Sequence, residues 1–330
     1  MTREQARESP ADLREHEADA LLVVTGPTAS GKTALAVRLA ESFDGELIGA
    51  DSVQVYRGFD IGSSKPRADE LRGVPHHLLD VREASEPLDA AEFAALADAA
   101  IADVRRRGKR PIVVGGSGLW LRALLRGLVK APEVDPALRA RLDAEAQAQG
   151  SPSLHARLGQ VDPDAAQQIH PNDRVRIVRA LEVYEQTGQA LGAMRREHAL
   201  GAPRYRALRL VLELAPELLT QRIQARCSEM IARGLADEVR GLVARHGREV
   251  RPLGAVGYRE MVSHICDGVP LAESLRAIEQ ATRVYARRQR TWLKNEPGER
   301  WLTLPEHVLA PEGLLRLSVF WDGAHAHPPA

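Results

Sequence analysis

The chain has 330 residues, 45 basic and 45 acidic side chains, no formal net charge, 44% hydrophobic residues and two cysteines. This length accommodates one large core or two domains, and the balanced charge leaves any case for nucleic-acid binding to local clustering. No apolar run reaches the ~20 residues of a membrane span, and Cys227 and Cys266, far apart and without metal-ligand spacing, suit a reducing compartment, so a cytoplasmic protein without a zinc module is expected.

The opening MTREQARESPADLREHEADA mixes both charge signs and lacks an apolar stretch, which predicts a disordered leader over 1–20 and no secretion signal. LLVVT (21–25) predicts a short buried strand, and ALAVRLAESF (34–43) has helical spacing. Between them Gly26, Pro27, Thr28, Ala29, Ser30, Gly31, Lys32 and Thr33 spell GPTASGKT, which fits the phosphate-loop pattern G-x-x-x-x-G-K-[ST] at every fixed position. A strand, a glycine turn and a helix N-terminus aim backbone N–H groups and a helix dipole at one point, where an anion sits. Gly26 and Gly31 let the backbone wrap closely, Lys32 supplies a point charge to the outer phosphate, and Thr33 can place its hydroxyl on Mg²⁺. The stretch predicts a polyphosphate or pyrophosphate site.

ELIGA (46–50) predicts a second strand that delivers Asp51 to its carboxyl end, where open α/β sheets place ligand chemistry. On position alone Asp51 is a magnesium ligand, a general base or the cap of the next element. The loop that follows, DSVQVYRGFDIGSSKP (51–66), is too polar and too glycine-rich for a plain connection. A helix is predicted over 88–108, and PIVVGGSG (111–118) predicts a strand entering a glycine turn. Strand–helix alternation around a P-loop predicts an α/β fold, a P-loop parallel sheet with flanking helices. From 119 to 201 the strand signals vanish, and helices punctuated by Pro, Gly and Asn-Asp predict an inserted all-helical domain. RALRLVLEL (206–214) restores a strand, helices follow over 216–246, 252–267 and 270–294, and RWLTL (300–304) closes the series. The expected organisation is a catalytic core of 21–118 with 202–320, a helical insertion of 119–201 and a flexible tail of 321–330.

The helix TRVYARRQRTWLK (282–294) carries Arg283, Arg287, Arg288, Arg290 and Lys294 within about three turns. Positions 283, 287, 290 and 294 share one face without acidic i+4 partners, which predicts a phosphate-tracking stripe and not a merely solvated face. Arg139, Arg176 and Arg179 form a second basic set in the insertion. His76 and His77 are adjacent, so their side chains diverge and chelation by the pair is disfavoured. Trp120 is expected in the core.

GPTASGKT, DSVQVYRGFDIGSSKP, PHHLLD (75–80), VVGGSGLWLRALL (113–125), PNDRVRIVRALEVYEQTG (171–188), GLADEV (234–239), GAVGYREM (254–261) and TRVYARRQRTWLK occur in one order. From about Leu22 to Trp301 the chain thereby resembles the bacterial tRNA dimethylallyltransferases, also called tRNA isopentenyltransferases. The resemblance implies transfer of a dimethylallyl group from dimethylallyl diphosphate to the exocyclic amine of the adenine 3′ of the anticodon. It implies Mg²⁺ as cofactor, the tRNA anticodon stem-loop as partner, no membrane partner, and a monomer. The P-loop, with Arg222 and Arg226, is then expected to hold a prenyl diphosphate and not ATP, with Asp51, Lys32 and Thr33 catalytic. The stretches 51–54, 175–179, 254–259 and 282–289 are expected to touch tRNA. They supply Asp51, Ser52, Val53 and Gln54; Val175, Arg176, Ile177, Val178 and Arg179; Gly254, Gly257, Tyr258 and Arg259; and Arg283, Arg287, Arg288 and Gln289, joined by Ser117, Arg139 and Arg290. Ser117 stands where the family usually has threonine, keeping the hydroxyl and losing a methyl.

The residues fit that reaction on their own chemistry. Charge builds on the pyrophosphate oxygens as the C–O bond breaks, and the P-loop amides, Lys32 and a magnesium at Thr33 are preorganised donors for it. An adenine amine must lose a proton as it bonds to the allylic carbon, and Asp51, one strand away, is the candidate base. A small-molecule P-loop kinase would share the first strand–loop–helix but has no use for the basic closing helix. An isopentenyltransferase acting on free adenylate hardly needs a helical insertion, and a non-catalytic RNA-binding protein leaves Lys32, Thr33 and Asp51 without purpose.

Overall fold

The computed structural model describes residues 20–129, 131–199 and 203–322; apart from Ala20, Trp321 and Asp322, the expected leader and tail lie outside the described residues. Contacts divide the chain into an α/β unit, which runs to Leu125 and resumes at Arg204, and a helical unit from Arg126 to Pro203.

The strands are β1 (Ala20–Thr25), β2 (Gly45–Ala50), β3 (His76–His77), β4 (Arg110–Gly115), β5 (Arg206–Leu212) and β6 (Arg300–Thr303). They form one sheet in the order β3-β2-β4-β1-β5-β6, with every neighbouring pair parallel. The helices in chain order are α1 (Lys32–Phe43), α2 (Ala68–Leu71), α3 (Ala90–Arg106), α4 (Gly118–Arg126), α5 (Pro136–Gln149), α6 (Ser151–Val161), α7 (Pro163–Gln168), α8 (Arg174–Thr187), α9 (Leu191–Ala199), α10 (Pro216–Ala232), α11 (Leu235–His246), α12 (Tyr258–Asp267), α13 (Leu271–Asn295), α14 (Pro305–Leu309) and α15 (Pro311–Trp321). This is the expected P-loop α/β architecture with a helical insertion. Three features were not expected: the short helix α2, the two-residue edge strand β3 within PHHLLD, and the helices α14 and α15.

Every residue of β1 and β2 is buried, as a parallel sheet covered on both faces requires. On one face Leu35, Ala36, Leu39 and Ala40 of α1 pack with Leu22, Val24, Leu47, Ile112, Val114 and Leu210 from the strands. Val308 of α14 and Leu317 and Trp321 of α15 complete that cluster. Trp321 therefore belongs to the core and not to a tail, its ring 4.8 Å from that of Phe43. Each leucine, isoleucine or valine among them contributes about 1.5–3 kcal/mol of burial. Helix α3 starts where the sequence signals it: Asp89 caps it by accepting from the amides of Ala91 and Glu92, both at 2.8 Å, while Glu92 accepts from the Asp89 amide at 3.3 Å.

The helical unit comprises α5 to α9 around Leu142, Leu154, Leu158, Ile177 and Leu181. It begins at Arg126 and not at 119, because α4 belongs to the α/β unit, where the buried Trp120 stacks on Phe93 at 4.3 Å. Within the unit the Glu182 carboxylate is 0% exposed. Arg139 and Arg179 donate to its Oε2 at 2.6 and 2.7 Å, and the Asp135 amide donates to its Oε1 at 3.1 Å. A buried carboxylate persists only with such partners.

Candidate active site

The register sets the site. Thr25 of β1 is level with Gly115 of β4 and Val211 of β5, and Ala50 of β2 is level with the same Gly115. The residues beyond these strand ends, the loop after Thr25, Asp51 after Ala50 and the glycine turn after Gly115, therefore emerge side by side at the carboxyl edge of the sheet.

The P-loop turns into α1 through Gly31, whose φ of 86° lies in the left-handed region that a glycine adopts without strain. Ser30 N donates to Pro27 O at 3.3 Å, tightening the loop. The Lys32 ammonium leans over it, 3.5 Å from Pro27 O. Burial, then repulsion from Arg226, hold Lys32 down to about 8, while Asp51 pulls the other way. Lys32, Arg226 and Asp51 therefore share one electrostatic neighbourhood. Both arginines singled out on α10 reach it: Arg222 Nη1 donates to Ser30 O and Arg226 Nη2 to Ser63 O, each at 3.4 Å. Arg222 is exposed, whereas Arg226 is partly buried and carries the electrostatic coupling to Lys32.

Asp51 Oδ1 accepts from the amides of Val53 at 2.9 Å and Gln54 at 3.3 Å. One oxygen thus caps the following turn, and among the described residues Oδ2 has no hydrogen-bond donor. Ser117 Oγ accepts from the Ser52 amide at 3.0 Å and ties the β4 turn to the Asp51 loop. Tyr285 of α13, 36% exposed, neighbours Ser117 and Gln289, and burial first, with Asp51 second, raises its phenol above the ordinary value. Sequence reasoning passed over Tyr285, although its place one turn before Gln289 on the closing helix puts both on the sheet-facing side.

The loop 51–66 is held from below by buried polar groups. Lys65 Nζ donates to Tyr56 O at 2.9 Å, Asp60 at 2.6 Å and Asp80 at 2.5 Å. Glu238 of α11 accepts from the amides of Asp60, Ile61 and Gly62 at 3.1, 2.6 and 3.1 Å, and from the Tyr258 hydroxyl at 2.8 Å. Nothing in the sequence marks Glu238 as an anchor beyond its place in GLADEV.

Several expected tRNA contacts have other work. Tyr258 is 0% exposed, with its hydroxyl bound between Ser63 N and Glu238, so it supports the loop and cannot meet a nucleic acid. Gly257 is buried, its amide donating to Glu260. Ile177 and Val178 are core residues of the helical unit, because the helical period turns them inward while Val175 is 75% exposed. Arg139 and Arg179 serve Glu182, leaving Arg176 the more exposed member of that set. The Gln54 amide nitrogen donates to Ser63 O and Ser64 O at 3.1 and 3.2 Å. Gln289 is buried against the P-loop. On α13 Arg283 does have an acidic neighbour, Glu279 one turn before it at 3.7 Å. Arg287, Arg288 and Lys294 are exposed, and Arg290 and Lys294 line a cavity of about 220 Å³ with Pro27, Leu212, Leu293 and Leu302. Gly254 and Arg259 are exposed, Arg259 pairing with Glu260. His77 pairs with Glu46 at 2.7 Å, as a polar-contact role requires, and His76, pushed down to about 4 by burial, has no hydrogen-bond partner among the described residues.

Among the described residues no cluster of three His, Cys, Asp or Glu side chains could hold a metal. No helix among them is long and apolar enough to cross a membrane.

A family model described as "IPP transferase" matches residues 54–296. A tRNA dimethylallyltransferase of an Anaeromyxobacter species is 54% identical over 285 residues, covering 86% of this chain and 95% of the relative. Another from Geobacter metallireducens is 47% identical over 294 residues, covering 89% of this chain and 95% of the relative. Among solved structures, the full-length tRNA isopentenylpyrophosphate transferase of Bacillus halodurans superposes with a TM-score of 0.66 at 35% identity, over 92% of this chain and 96% of that one. A eukaryotic dimethylallyltransferase, described as acting on tRNA, gives a TM-score of 0.75 at 28% identity over 91% of this chain and 78% of its own. With the family match running from 54 to 296 and these relatives aligned along most of both chains, the chain belongs to the IPP transferase family.

Proposed function

We propose that the protein transfers a dimethylallyl group from dimethylallyl diphosphate to the exocyclic amine of the adenine 3′ of the anticodon in tRNA, releasing diphosphate. Relatives named tRNA dimethylallyltransferases support the donor and acceptor classes. The observation that carries the chemistry is the shared neighbourhood of Asp51, Lys32 and Arg226, a carboxylate beside a cationic phosphate loop. The diphosphate sits on the amides at the α1 N-terminus, with Lys32 and Arg226 facing its oxygens. The adenine amine attacks the allylic carbon, the C–O bond to the diphosphate breaks, and the amine proton passes to Asp51 Oδ2. Lys32 and Arg226 stabilise the charge arriving on the departing oxygens. Ser117 and Tyr285 line the side on which the adenine enters.

A magnesium ion fits this site as a partner of the substrate. The Thr33 hydroxyl is partly exposed and free of hydrogen bonds among the described residues, a hard oxygen donor of the kind Mg²⁺ takes. Diphosphate oxygens and water would complete its shell, and the ion would neutralise charge on the leaving group. The phosphate loop therefore serves a prenyl diphosphate where a kinase would hold ATP. Arg287 and Arg288 on one unit and Arg176 and Val175 on the other offer exposed contacts for the anticodon stem-loop. The proposed form is a monomer acting in the cytoplasm.

The test is incubation with labelled dimethylallyl diphosphate, Mg²⁺ and either unmodified tRNA or AMP. Label should enter tRNA, and Asp51→Asn should lower that rate by ~10²–10⁴ with tRNA affinity nearly unchanged. Label in AMP alone would transfer the assignment to a free-adenylate enzyme; ATP turnover without label transfer would make it a kinase.

A further inference from the structure

Gln289 joins two parts of the site that are remote in sequence. It lies on α13 and is 7% exposed. Its Oε1 accepts from the Thr28 amide of the P-loop at 2.8 Å, and its Nε2 donates to Gly116 O of the β4 turn at 3.0 Å. The space is shaped for that carboxamide: a Cβ at position 116 would lie 2.4 Å from Gln289 Nε2. Tyr285, one turn earlier on the same helix, neighbours this side chain.

The consequence lies in which amides remain for the ligand. A P-loop grips phosphates with successive backbone N–H groups, and its reach along a phosphate chain depends on how many stay free. Here the Thr28 amide is engaged by Gln289 and the Ser30 amide by Pro27 O. The amide of Ala29 in the loop and those of Gly31, Lys32 and Thr33 at the start of α1 remain, the last three without an intrahelical acceptor. A short cradle closed at its far side by a side chain suits two phosphates better than three.

We infer that Gln289 is a positioning and specificity residue of the phosphate loop: by engaging the Thr28 amide and filling the gap to Gly116, it confines the loop to diphosphates and excludes triphosphates. This rests on the proposed function only for the prenyl tail; the selection among phosphate chains belongs to the loop itself. Gln289 therefore does not contact tRNA.

The experiment is calorimetric titration of the full chain with inorganic pyrophosphate and with tripolyphosphate, for the wild type, Gln289→Ala and Gln289→Glu, alongside tRNA affinity. The wild type should prefer pyrophosphate. Gln289→Ala frees the Thr28 amide and opens the gap, so that preference should fall by about tenfold, while tRNA affinity stays within about twofold. Gln289→Glu keeps an acceptor for Thr28, so it should weaken both ligands together and retain the preference. If Gln289→Ala does not fold by circular dichroism, Gln289→Met, which frees the Thr28 amide but keeps the gap filled, should lower the preference in the same direction by less. A wild type without preference, or a folded Ala or Met variant with the wild-type ratio, overturns the inference. Lost tRNA affinity at an unchanged ratio would restore Gln289 to the tRNA surface. A wild type that selects pyrophosphate yet labels no tRNA would sink the proposed function and leave the role of Gln289 intact.

Discussion

Lys32 titrates where its own surroundings are measurable, and its two charged neighbours act on it with opposite signs. Its ammonium is held down to about 8 by burial first and Arg226 second, with Asp51 opposing. The cationic form that binds an anion is therefore present below about pH 8 and lost above it. One pH unit above that point leaves about a tenth of the lysine charged, a ~tenfold loss in anion affinity or about 1.4 kcal/mol. Arg226→Gln removes a repulsion, so the alkaline limb should move up, by about one unit for a single neighbouring charge. Asp51→Asn removes an attraction, so the limb should move down by a similar amount. The assay is pyrophosphate binding by calorimetry from about pH 6 to about pH 10 at constant ionic strength. Pyrophosphate's own ionisation is common to all three proteins and cancels in the differences between them. Arg226→Gln will also lower affinity at every pH, so the position of the limb is read and not its height. Three coincident limbs, or the reverse order, would refute the coupling of Lys32 to these two residues.

Other outcomes follow from the same structure. Arg287→Ala and Arg288→Ala should each reduce the slope of log tRNA affinity against log salt by about 0.7–0.9, whereas Arg283→Ala, already paired with Glu279, should change it less; equal slopes throughout would place the tRNA path elsewhere. Tyr258→Phe should destabilise the fold by about 1–3 kcal/mol in urea denaturation, through the lost bonds to Glu238 and Ser63, and leave tRNA affinity unchanged in the folded protein. Burial tends to raise the Glu46 carboxyl, yet His77 and Arg107 hold it below its ordinary value. Its stabilising contribution is then complete above the unfolded carboxyl value near ~4.3 and disappears as pH falls through the folded one. Glu46→Gln should cost about 1–3 kcal/mol at neutral pH, and its difference from wild type should shrink in acid; a constant difference across that range would discount the ion pair.

The P-loop and the strand ends were legible because short-range rules fix them. Glycines at set positions, an apolar run before them and a helical period after them determine where Lys32 and Thr33 emerge, and Asp51 follows from where β2 stops. Helical periodicity found most of the insertion as well. What the sequence hid is which polar side chains turn inward. Gln289 sits among arginines and looks like part of their surface, yet its carboxamide meets Thr28, 261 positions away. Arg139 and Arg179 look like phosphate ligands until Glu182 is found buried between them. Burial of a polar group depends on a partner supplied by distant chain, and no local period encodes it. The same limit applies to β3, whose two residues are strand only because Leu47 and Ile48 pair with them.

The helical unit leaves the α/β unit after Leu125 and the chain returns at Arg204. The Arg204 amide donates to Leu125 O at 2.9 Å, and the Arg204 guanidinium reaches Ala123 O and Leu124 O at 3.3 and 2.9 Å. Exit and re-entry points so close make the excursion a detachable cassette. A linker of a few glycines and serines can span the gap, with little entropy of closure. Excising 126–203 in this way would give a compact phosphate-binding protein for crystallisation or ligand screening. Conversely, the junction is a natural docking port, where a helical module from another family member can be exchanged without rebuilding a single strand of the sheet.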